Sequence, residues 1–176
     1  STVNGHSYAE KTTNNTNFAL LVSEKFTEPF KEPIQYGQHI ARLANMLGGG
    51  ILVQRFGDLL DGRRSTPERI KSSVLTPTLT CATPGDLSLV IPYRQMTSII
   101  EMLYALDKIC PGTASRYTLL YGIEVKFYSA RVKLTNELET EGVKNLFTIG
   151  DGAGVTRGLI QASASGVHVA RTICAR

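Results

Sequence analysis

The sequence predicts an α+β fold in which a mixed or antiparallel sheet has flanking helices and a C-terminal strand–loop–helix follows. Three observations support this prediction. Apolar residues recur at helical spacing over 36–47 and again over 93–109. The segment 119–128 is rich in strand-forming residues and alternates apolar with charged side chains. A nearly continuous apolar run, 146–149, precedes a glycine-rich loop.

The first elements follow from local composition. Residues 1–16 are predicted to form a flexible lead-in, because Asn, Thr and Ser dominate and no periodicity is present. Residues 18–23 then predict a strand. The helix over 36–47 should end at the glycines 48–50, where a left-handed cap is needed. A short strand is predicted at 51–56, followed by a polar loop.

The middle of the chain has clear helix boundaries. Thr66 is predicted to cap a short helix that has Pro67 at its first position. The helix over 93–109 should stop at Pro111 and Gly112. In the strand-like segment after it, one face should be buried and carries Ile123, Val125 and Phe127.

The last forty residues predict a different arrangement. The run 146–149 reads as a strand buried on both faces. The loop 150–158 follows it, and then a helix to about residue 173, along which Ala162, Gly166 and Ala170 form a line that permits close backbone approach. The sequence therefore predicts a lead-in over 1–16, an α+β domain over 17–140 and a C-terminal arm over 141–176.

Composition and charge exclude several classes of protein. The chain has 176 residues, of which 42% are hydrophobic and 19% are charged, so a packed domain is expected. Its net charge of +4 is mild, and the densest basic patch has no interleaved aromatic residues, which argues against nucleic-acid binding. No apolar run is long enough for a membrane span, and the polar first residues predict no signal peptide. Three scattered cysteines favour a cytoplasmic protein with no metal site.

The loop 150–158 is the most informative segment for function. Small residues allow backbone N–H groups to face a ligand, and the start of the next helix favours negative charge. The spacing is not G-x-G-x-x-G, because Val155 stands at the sixth position, so a primary dinucleotide fingerprint is not indicated. Taken from the residues alone, Asp151 is either a ligand contact or a solvated turn residue.

The segment 145–154 resembles the second FAD-binding motif of flavoproteins built like glutathione reductase. The resemblance implies that Asp151 accepts a hydrogen bond from a ribityl hydroxyl of FAD, while the following helix points its N-terminus at the flavin's pyrimidine edge. Small residues would make room for the ribityl chain. The FAD contacts implied in this way are Gly150, Asp151, Gly152, Ala153, Gly154, Val155 and Arg157, with Thr156 close to the isoalloxazine and Gln161 as a second choice.

Further segments resemble a family of bacterial FAD-dependent, NAD-utilising dehydrogenases, and the likeness runs from residue 17 onward. The resemblance implies an oxidoreductase that uses FAD, with NAD(P)H as a candidate electron donor and a small-molecule substrate that the family does not identify. The matching segments are 26–30, 42–50, 62–70, 83–89, 124–129 and 161–166.

The chain departs from that family in lacking the strand–GxGxxG–helix expected at the start. It is therefore expected to be a fragment, an inserted substrate-side domain plus the C-terminal arm of an FAD domain, that does not hold FAD tightly without the missing half. An exposed strand edge would favour a homo-oligomer. The alternative is a non-catalytic α+β module that binds a partner, in which Asp151 is only a turn residue.

Two other sets of residues could carry chemistry. Gly57 and Gly62 frame a loop of phosphate-binding length, but Arg63 stands where lysine is needed, so a surface loop is the better interpretation. Arg63 and Arg64 could still contact an anionic ligand. Glu124, Lys126 and Tyr128 share one face of a strand-like segment, where a solvated charge pair is favoured over a pocket of acid, base and phenol.

Overall fold

A computed structural model of the chain describes residues 1–5, 9–10, 13–127 and 131–176. The chain divides into two compact units, residues 1–125 and residues 126–176. The first unit contains a small sheet with helices around it. The second contains a hairpin-like arm, a glycine-rich loop and one long helix.

The first unit begins its regular structure with helix α1, Pro33–Gly48. Proline at the first position fits a site where no backbone donor is required. The helix ends because Gly49 adopts a left-handed conformation with φ 67°, from which its N–H donates to the Asn45 carbonyl at 2.7 Å. The helix and glycine stop predicted from the sequence are confirmed.

The sheet is mixed and has three strands in the described part of the chain. These are β1 (Leu52–Arg55), β2 (Thr83–Pro84) and β3 (Leu119–Gly122), in the order β2–β1–β3. Strand β1 pairs in parallel with β2 and antiparallel with β3. In this register Val53 lies opposite Tyr121. The predicted α+β class, with a mixed sheet and flanking helices, is confirmed.

Short helices connect the strands. Helix α2, Phe56–Leu60, follows β1 directly, where the sequence predicted a polar loop. Helix α3, Pro67–Lys71, is capped by the Thr66 hydroxyl, which accepts the Arg69 N–H at 3.3 Å as predicted. After a 3₁₀ turn at Leu87–Leu89, helix α4 spans Tyr93–Asp107.

The core of the first unit gathers buried apolar side chains from α1, β1, α2, the 3₁₀ turn and α4, and from the residues that follow the turn and β3. Phe56 has no exposed surface, and its ring meets that of Tyr104 edge-on at 5.7 Å between centroids. The sheet supplies Leu52, and helix α4 contributes Leu103, which is 1% exposed. The buried members of this core are Ala44, Leu52, Phe56, Leu59, Leu87, Val90, Met96, Leu103 and Ile123.

A buried polar network lies beside this core and holds the segment 57–65. The Asp58 side chain is 1% exposed and accepts hydrogen bonds from the Ser65 hydroxyl at 2.8 Å and from Arg63 Nε at 3.0 Å. The Ser65 hydroxyl in turn accepts the Arg55 N–H at 2.8 Å. Because every polar group named here has a partner, the network fixes the chain path after β1.

Two strand predictions need correction. Residues 18–23 form no strand, and Phe18 and Leu21 are about half exposed. Their strand-forming composition has no neighbouring strand to complete it, so no hydrogen-bond ladder forms. The strand predicted over 119–128 ends at Gly122, and Phe127 is half exposed rather than buried. Residue 128 lies outside the described residues.

The second unit contains an arm, a loop and a helix. In the arm, antiparallel bridges join Leu134 to Thr140 and Glu139 to Phe147. Helix α5 spans Leu159–Cys174, close to the predicted helix. The prediction that 146–149 is buried on both faces is wrong, because Leu146 and Ile149 are about half exposed. The segment pairs with the arm through the bridge at Phe147 and the hydrogen bond from the Thr148 N–H to the Leu138 carbonyl at 3.1 Å, and among the described residues no strand pairs with its other edge.

Arg176 forms ion pairs with acidic side chains of the arm in the second unit. The Arg176 guanidinium donates to the carboxylates of Glu137 and Glu139 and lies 4.9 Å from the centre of the Phe147 ring. The hydrogen bond from Arg176 lowers the pKa of Glu139 below its ordinary value. The pair of Arg176 and Glu139 therefore stabilises the folded state fully at pH values above the pKa that Glu139 has in the unfolded chain. This stabilisation is lost as the pH falls through the lowered pKa of Glu139 in the folded state.

Candidate functional site

The glycine-rich loop starts with a backbone conformation that only glycine adopts readily. Gly150 has φ 75° and ψ −170°. Its N–H donates to the Ser165 hydroxyl at 3.0 Å, and that hydroxyl donates to the Ala162 carbonyl at 2.6 Å. Because Ser165 is 7% exposed, this pair of bonds joins the start of the loop to the interior face of α5.

Replacing Ser165 by alanine is expected to destabilise the second unit by about 1–3 kcal/mol, because the Gly150 N–H would lose its partner. Ser163 is exposed on the same helix, so Ser163→Ala serves as the matched control. Amide hydrogen exchange at Gly150 measures the effect directly. Equal exchange rates in the two variants would contradict this account of the loop.

Asp151 closes the loop through its side chain. It opens a 3₁₀ turn, Asp151–Ala153, and its Oδ1 accepts the Thr156 hydroxyl at 2.7 Å and the Gly158 N–H at 3.3 Å. Gly154 ends the turn in a left-handed conformation with φ 70°. The carboxylate is therefore exposed yet held in one position by the residues that follow it.

Small residues on α5 allow the helix to lie against the loop. A Cβ built at Gly150 would stand 4.0 Å from the Ala162 Cβ, and one built at Gly166 would stand 3.7 Å from Ile149 Cδ1. Both distances are ordinary van der Waals contacts, so the two segments pack closely. Of the predicted line of Ala162, Gly166 and Ala170, the first two residues lie at the close approach, while Ala170 is exposed.

A cavity of about 470 Å³, which we call the loop cavity, opens beside the glycine-rich loop. Most of its lining side chains are exposed, so it is an open depression in the surface and not an enclosed pocket. Two of its lining side chains are guanidinium groups, and an amide and a hydroxyl face the same space. The lining residues are Arg131, Gly154, Val155, Thr156, Arg157 and Gln161.

In the structure, the residues predicted to contact FAD fall into three groups. Gly154, Val155, Arg157 and Gln161 line the loop cavity together. Gly150 and Asp151 anchor the loop, and a Cβ built at Gly152 would meet nothing within 4 Å, so space is open over that residue. Ala153 is 1% exposed and supports the turn from beneath.

Sequence reasoning did not assign roles to two residues that the geometry makes important. Arg131 lines the loop cavity from a segment that is distant in sequence, and no motif identifies it. Ser165 lies in the matching segment 161–166, and its burial and its two hydrogen bonds make it an anchor for Gly150. Its position in α5 between Ala162 and Gly166, two members of the line of small residues, was the available signal.

Arg63, the candidate contact for an anionic ligand, already has carboxylate partners. Arg63 pairs with Asp58 at 3.0 Å and with Asp61 at 3.1 Å, and helix α2 occupies the segment considered as a phosphate loop. Glu124 and Lys126 carry other interactions of their own, while Tyr128 lies outside the described residues. His168 Nε2 lies 3.2 Å from the Asn136 carbonyl.

The described residues contain neither a cluster of metal-ligating side chains nor a helix that could span a membrane. Within residues 1–5, 9–10, 13–127 and 131–176, no three His, Cys, Asp or Glu side chains gather as metal ligands would. Among the helices of that same part of the chain, none has the length and apolar character needed to cross a bilayer. The three cysteines are free and exposed.

Comparison with known proteins links this chain to FAD-dependent proteins. It is 33% identical over 181 aligned positions to a protein of Clostridium beijerinckii that carries the name "Uncharacterized protein". The alignment covers 97% of this chain and 33% of the relative, so the chain spans about a third of the length of that protein. Residues 1–127 match the family described as "FAD-dependent protein, C-terminal domain-like". The chain belongs to this family of C-terminal domains of FAD-dependent proteins.

Proposed function

We propose that residues 150–158 hold the ribityl portion of FAD in a longer flavoprotein, and that Asp151 accepts a hydrogen bond from a ribityl hydroxyl. The observation that carries this proposal is the Asp151 carboxylate, which is exposed and fixed by Thr156 and Gly158 at the head of a loop that lines a cavity. Membership of an FAD-dependent family and the resemblance of 145–154 to the second FAD motif of glutathione-reductase-like flavoproteins support it.

The residues of the loop fit a hydroxylated, flexible part of the cofactor. No side chain projects from Gly150, Gly152 or Gly154, and open space lies over Gly152. A carboxylate oxygen is the acceptor that a ribityl hydroxyl requires, and hydrogen bonds to a charged acceptor are the stronger kind. Val155 and Arg157 line the adjoining cavity, where the isoalloxazine would lie.

When bound, FAD supplies hydride or electron transfer, and the tasks of this chain are binding and orientation. Asp151 would set the position of the ribityl chain. The first turn of α5, which begins at Leu159, would favour negative charge at the flavin's pyrimidine edge. The reaction we propose is an oxidoreductase reaction of the dehydrogenase class, with NAD(P)H as electron donor, on a small-molecule substrate.

The remaining parts of the proposal concern assembly and location. The chain spans about a third of its relative, so we place the G-x-G-x-x-G half of the FAD domain in another part of a longer protein. Free, exposed cysteines favour a reducing cytoplasm. When the G-x-G-x-x-G half of the FAD domain is absent, we expect the chain to form a homo-oligomer that covers the outer edge of the sheet at β3.

One observation favours a second candidate, the non-catalytic binding module. Asp151 already accepts hydrogen bonds from Thr156 and Gly158 within its own loop, as a turn residue would. In that case the carboxylate stabilises the loop and has no ligand. Two variants distinguish the candidates. One removes the Asp151 carboxylate, and the other removes only the hydrogen bond that this carboxylate accepts from Thr156.

The deciding experiment uses residues 1–176 joined to an N-terminal G-x-G-x-x-G domain, which we call the extended protein. Asp151→Ala is expected to weaken FAD binding by roughly 10-fold to 100-fold, since a hydrogen bond to a charged group is lost. Thr156→Val removes the 2.7 Å loop bond but keeps the carboxylate, so its effect on FAD should be less than threefold by this account. Dissociation constants from flavin fluorescence titration measure both.

Glu137→Gln is the matched control, because Glu137 is an acid of the same unit that pairs with Arg176 outside the loop. Unchanged flavin retention in Asp151→Ala would favour the binding module and contradict the proposed function. Equal losses in Asp151→Ala and Thr156→Val would assign the carboxylate to loop stability alone.

A further inference from the structure

Residues 126–176 bury few side chains for a folded unit. Among the described residues of this unit, only Ala153, Ser165 and Val169 are buried. A segment of this length rarely supplies a core large enough to keep it folded alone. Most of the large apolar side chains that it leaves exposed belong to α5 and to the segment 146–149, so these two surfaces offer the area that a partner would cover.

Helix α5 has apolar and small residues on the side opposite its buried face. That side carries exposed residues at spacings of i, i+4, i+7, i+11 and i+14, which we call the outward stripe: Ile160, Ala164, Val167, Arg171 and Cys174. Ile160 is 82% exposed, and Arg171 is the one charged member of the stripe. A helix that is apolar on both sides is typical of one that is buried on both sides.

The segment 146–149 is open along one edge. Its other edge pairs with the arm, as in the hydrogen bond from the Thr148 N–H to the Leu138 carbonyl. Among the described residues no strand pairs with the open edge, and Leu146 and Ile149 are about half exposed. An apolar segment with free backbone groups along one edge can accept a further strand. Because Gly166 of α5 lies against Ile149, the stripe and this edge belong to one packed element.

The length of the relative indicates where the partner of these surfaces is encoded. The chain spans about a third of the Clostridium beijerinckii protein, and the alignment covers 97% of the chain. The family match ends at residue 127, close to the boundary between the two units. The second unit is thus shared with the longer protein but lies outside the matched domain. Leu159 begins α5 directly after the loop 150–158, so whatever holds the rest of the FAD lies next to this helix.

We propose that the outward stripe of α5 and the open edge of 146–149 form an interface for the G-x-G-x-x-G half of the FAD domain. That half supplies a strand along 146–149 and an apolar surface over the stripe. The inference rests on the proposed function in one respect, the identity of the occupant. Burial of the two surfaces does not itself require flavin.

Cys174 is a natural probe of the outward stripe, because it lies at the end of the stripe and is free and exposed. Its rate of alkylation by iodoacetamide, read by peptide mass spectrometry, is compared between the 176-residue chain and the extended protein. The rate at Cys174 should be about tenfold lower or less in the extended protein, because the side chain becomes covered. Cys110, which is exposed in the first unit, is the internal control and should change by less than about twofold.

Amide hydrogen exchange reports the open edge of 146–149. The Ile149 N–H is one residue past the Thr148 N–H that donates to the arm, so it points to the opposite edge. Its exchange should slow by about tenfold or more in the extended protein, because a new strand provides an acceptor.

A longer, charged side chain in the stripe should open the interface. Ala164→Arg is expected to return the Cys174 rate in the extended protein to within about twofold of the rate in the 176-residue chain. In the 176-residue chain itself its urea midpoint should match that of the parent, since Ala164 is exposed. The matched control is Ala105→Arg, the same substitution at an exposed position of α4, which should leave Cys174 covered.

Flavin retention is measured in the same samples, which separates this interface from the FAD assignment. Slow alkylation of Cys174 in an extended protein that retains no flavin would support the interface and overturn the FAD assignment. Equal Cys174 rates in the two proteins would overturn the interface, and flavin retained at those equal rates would leave the FAD assignment in place.

Slow alkylation of Cys174 already in the 176-residue chain would also overturn the proposed occupant. A rate that depends on protein concentration would assign the face to a second copy, and a rate that does not would assign it to the first unit of the same chain.

Discussion

Replacing Phe56 by alanine is expected to lower the free energy of unfolding of residues 1–125 by about 3–5 kcal/mol. Phe56 has no exposed surface and begins α2 directly after β1, so its side chain fills the space between the sheet and α4. Alanine would leave a cavity and would remove the edge-on contact with Tyr104. Such a loss is a large part of the stability of a domain of this size.

Urea denaturation followed by circular dichroism measures this change. Phe30→Ala is the matched control, because the Phe30 side chain is 69% exposed in the same unit. Its free energy of unfolding should remain within about 0.5 kcal/mol of the parent. A Phe56 variant as stable as the Phe30 variant would contradict the assignment of the core.

The second large effect is expected at Asp58. Asp58→Ala should destabilise the same unit by about 3 kcal/mol, because Ser65 is 1% exposed and would lose the acceptor for its hydroxyl proton. Arg63 is half exposed and can turn toward water, whereas the Arg55 side chain is 16% exposed with its Nε 4.0 Å from the Asp58 carboxylate, so the loss arises mainly from Ser65, Arg55 and the cavity.

Asp58→Asn keeps an acceptor near Ser65 and should recover part of that stability. Glu101→Gln, at an exposed position on α4, is the matched control and should leave the urea midpoint unchanged. If Asp58→Ala unfolds at the same urea concentration as the parent, the network does not hold the segment 57–65 in the way the distances indicate.

Helices were predictable from the sequence where the residues that cap their ends lie next to them in the chain. Helix α1 has a glycine at its end, and α3 has Thr66 and Pro67 at its start, and these groups satisfy backbone atoms within a few residues. Strands need a partner from elsewhere in the chain. Residues 18–23 have strand-forming side chains and no pairing strand, so composition alone gave the wrong prediction there.

The candidate site likewise has one part that could be predicted from the sequence and one part that could not. The loop 150–158 was predictable, because glycine spacing and a following helix are local features. The position of Arg131 beside Arg157 was not, because it depends on how the arm folds back on the loop, as in the hydrogen bond from the Val132 N–H to the Ala153 carbonyl at 3.3 Å. Likewise, the burial of Asp58 depends on Ser65 returning to β1.

The central claim is that the Asp151 carboxylate receives a hydrogen bond from the ribityl chain of FAD. The most direct measurement is a double-mutant cycle in the extended protein. It compares the parent with Asp151→Ala for binding of FAD and of FAD analogues that each lack one ribityl hydroxyl. We expect a coupling free energy of about 1.5–3 kcal/mol for one analogue and none for the others. Additive losses for every analogue would contradict the account.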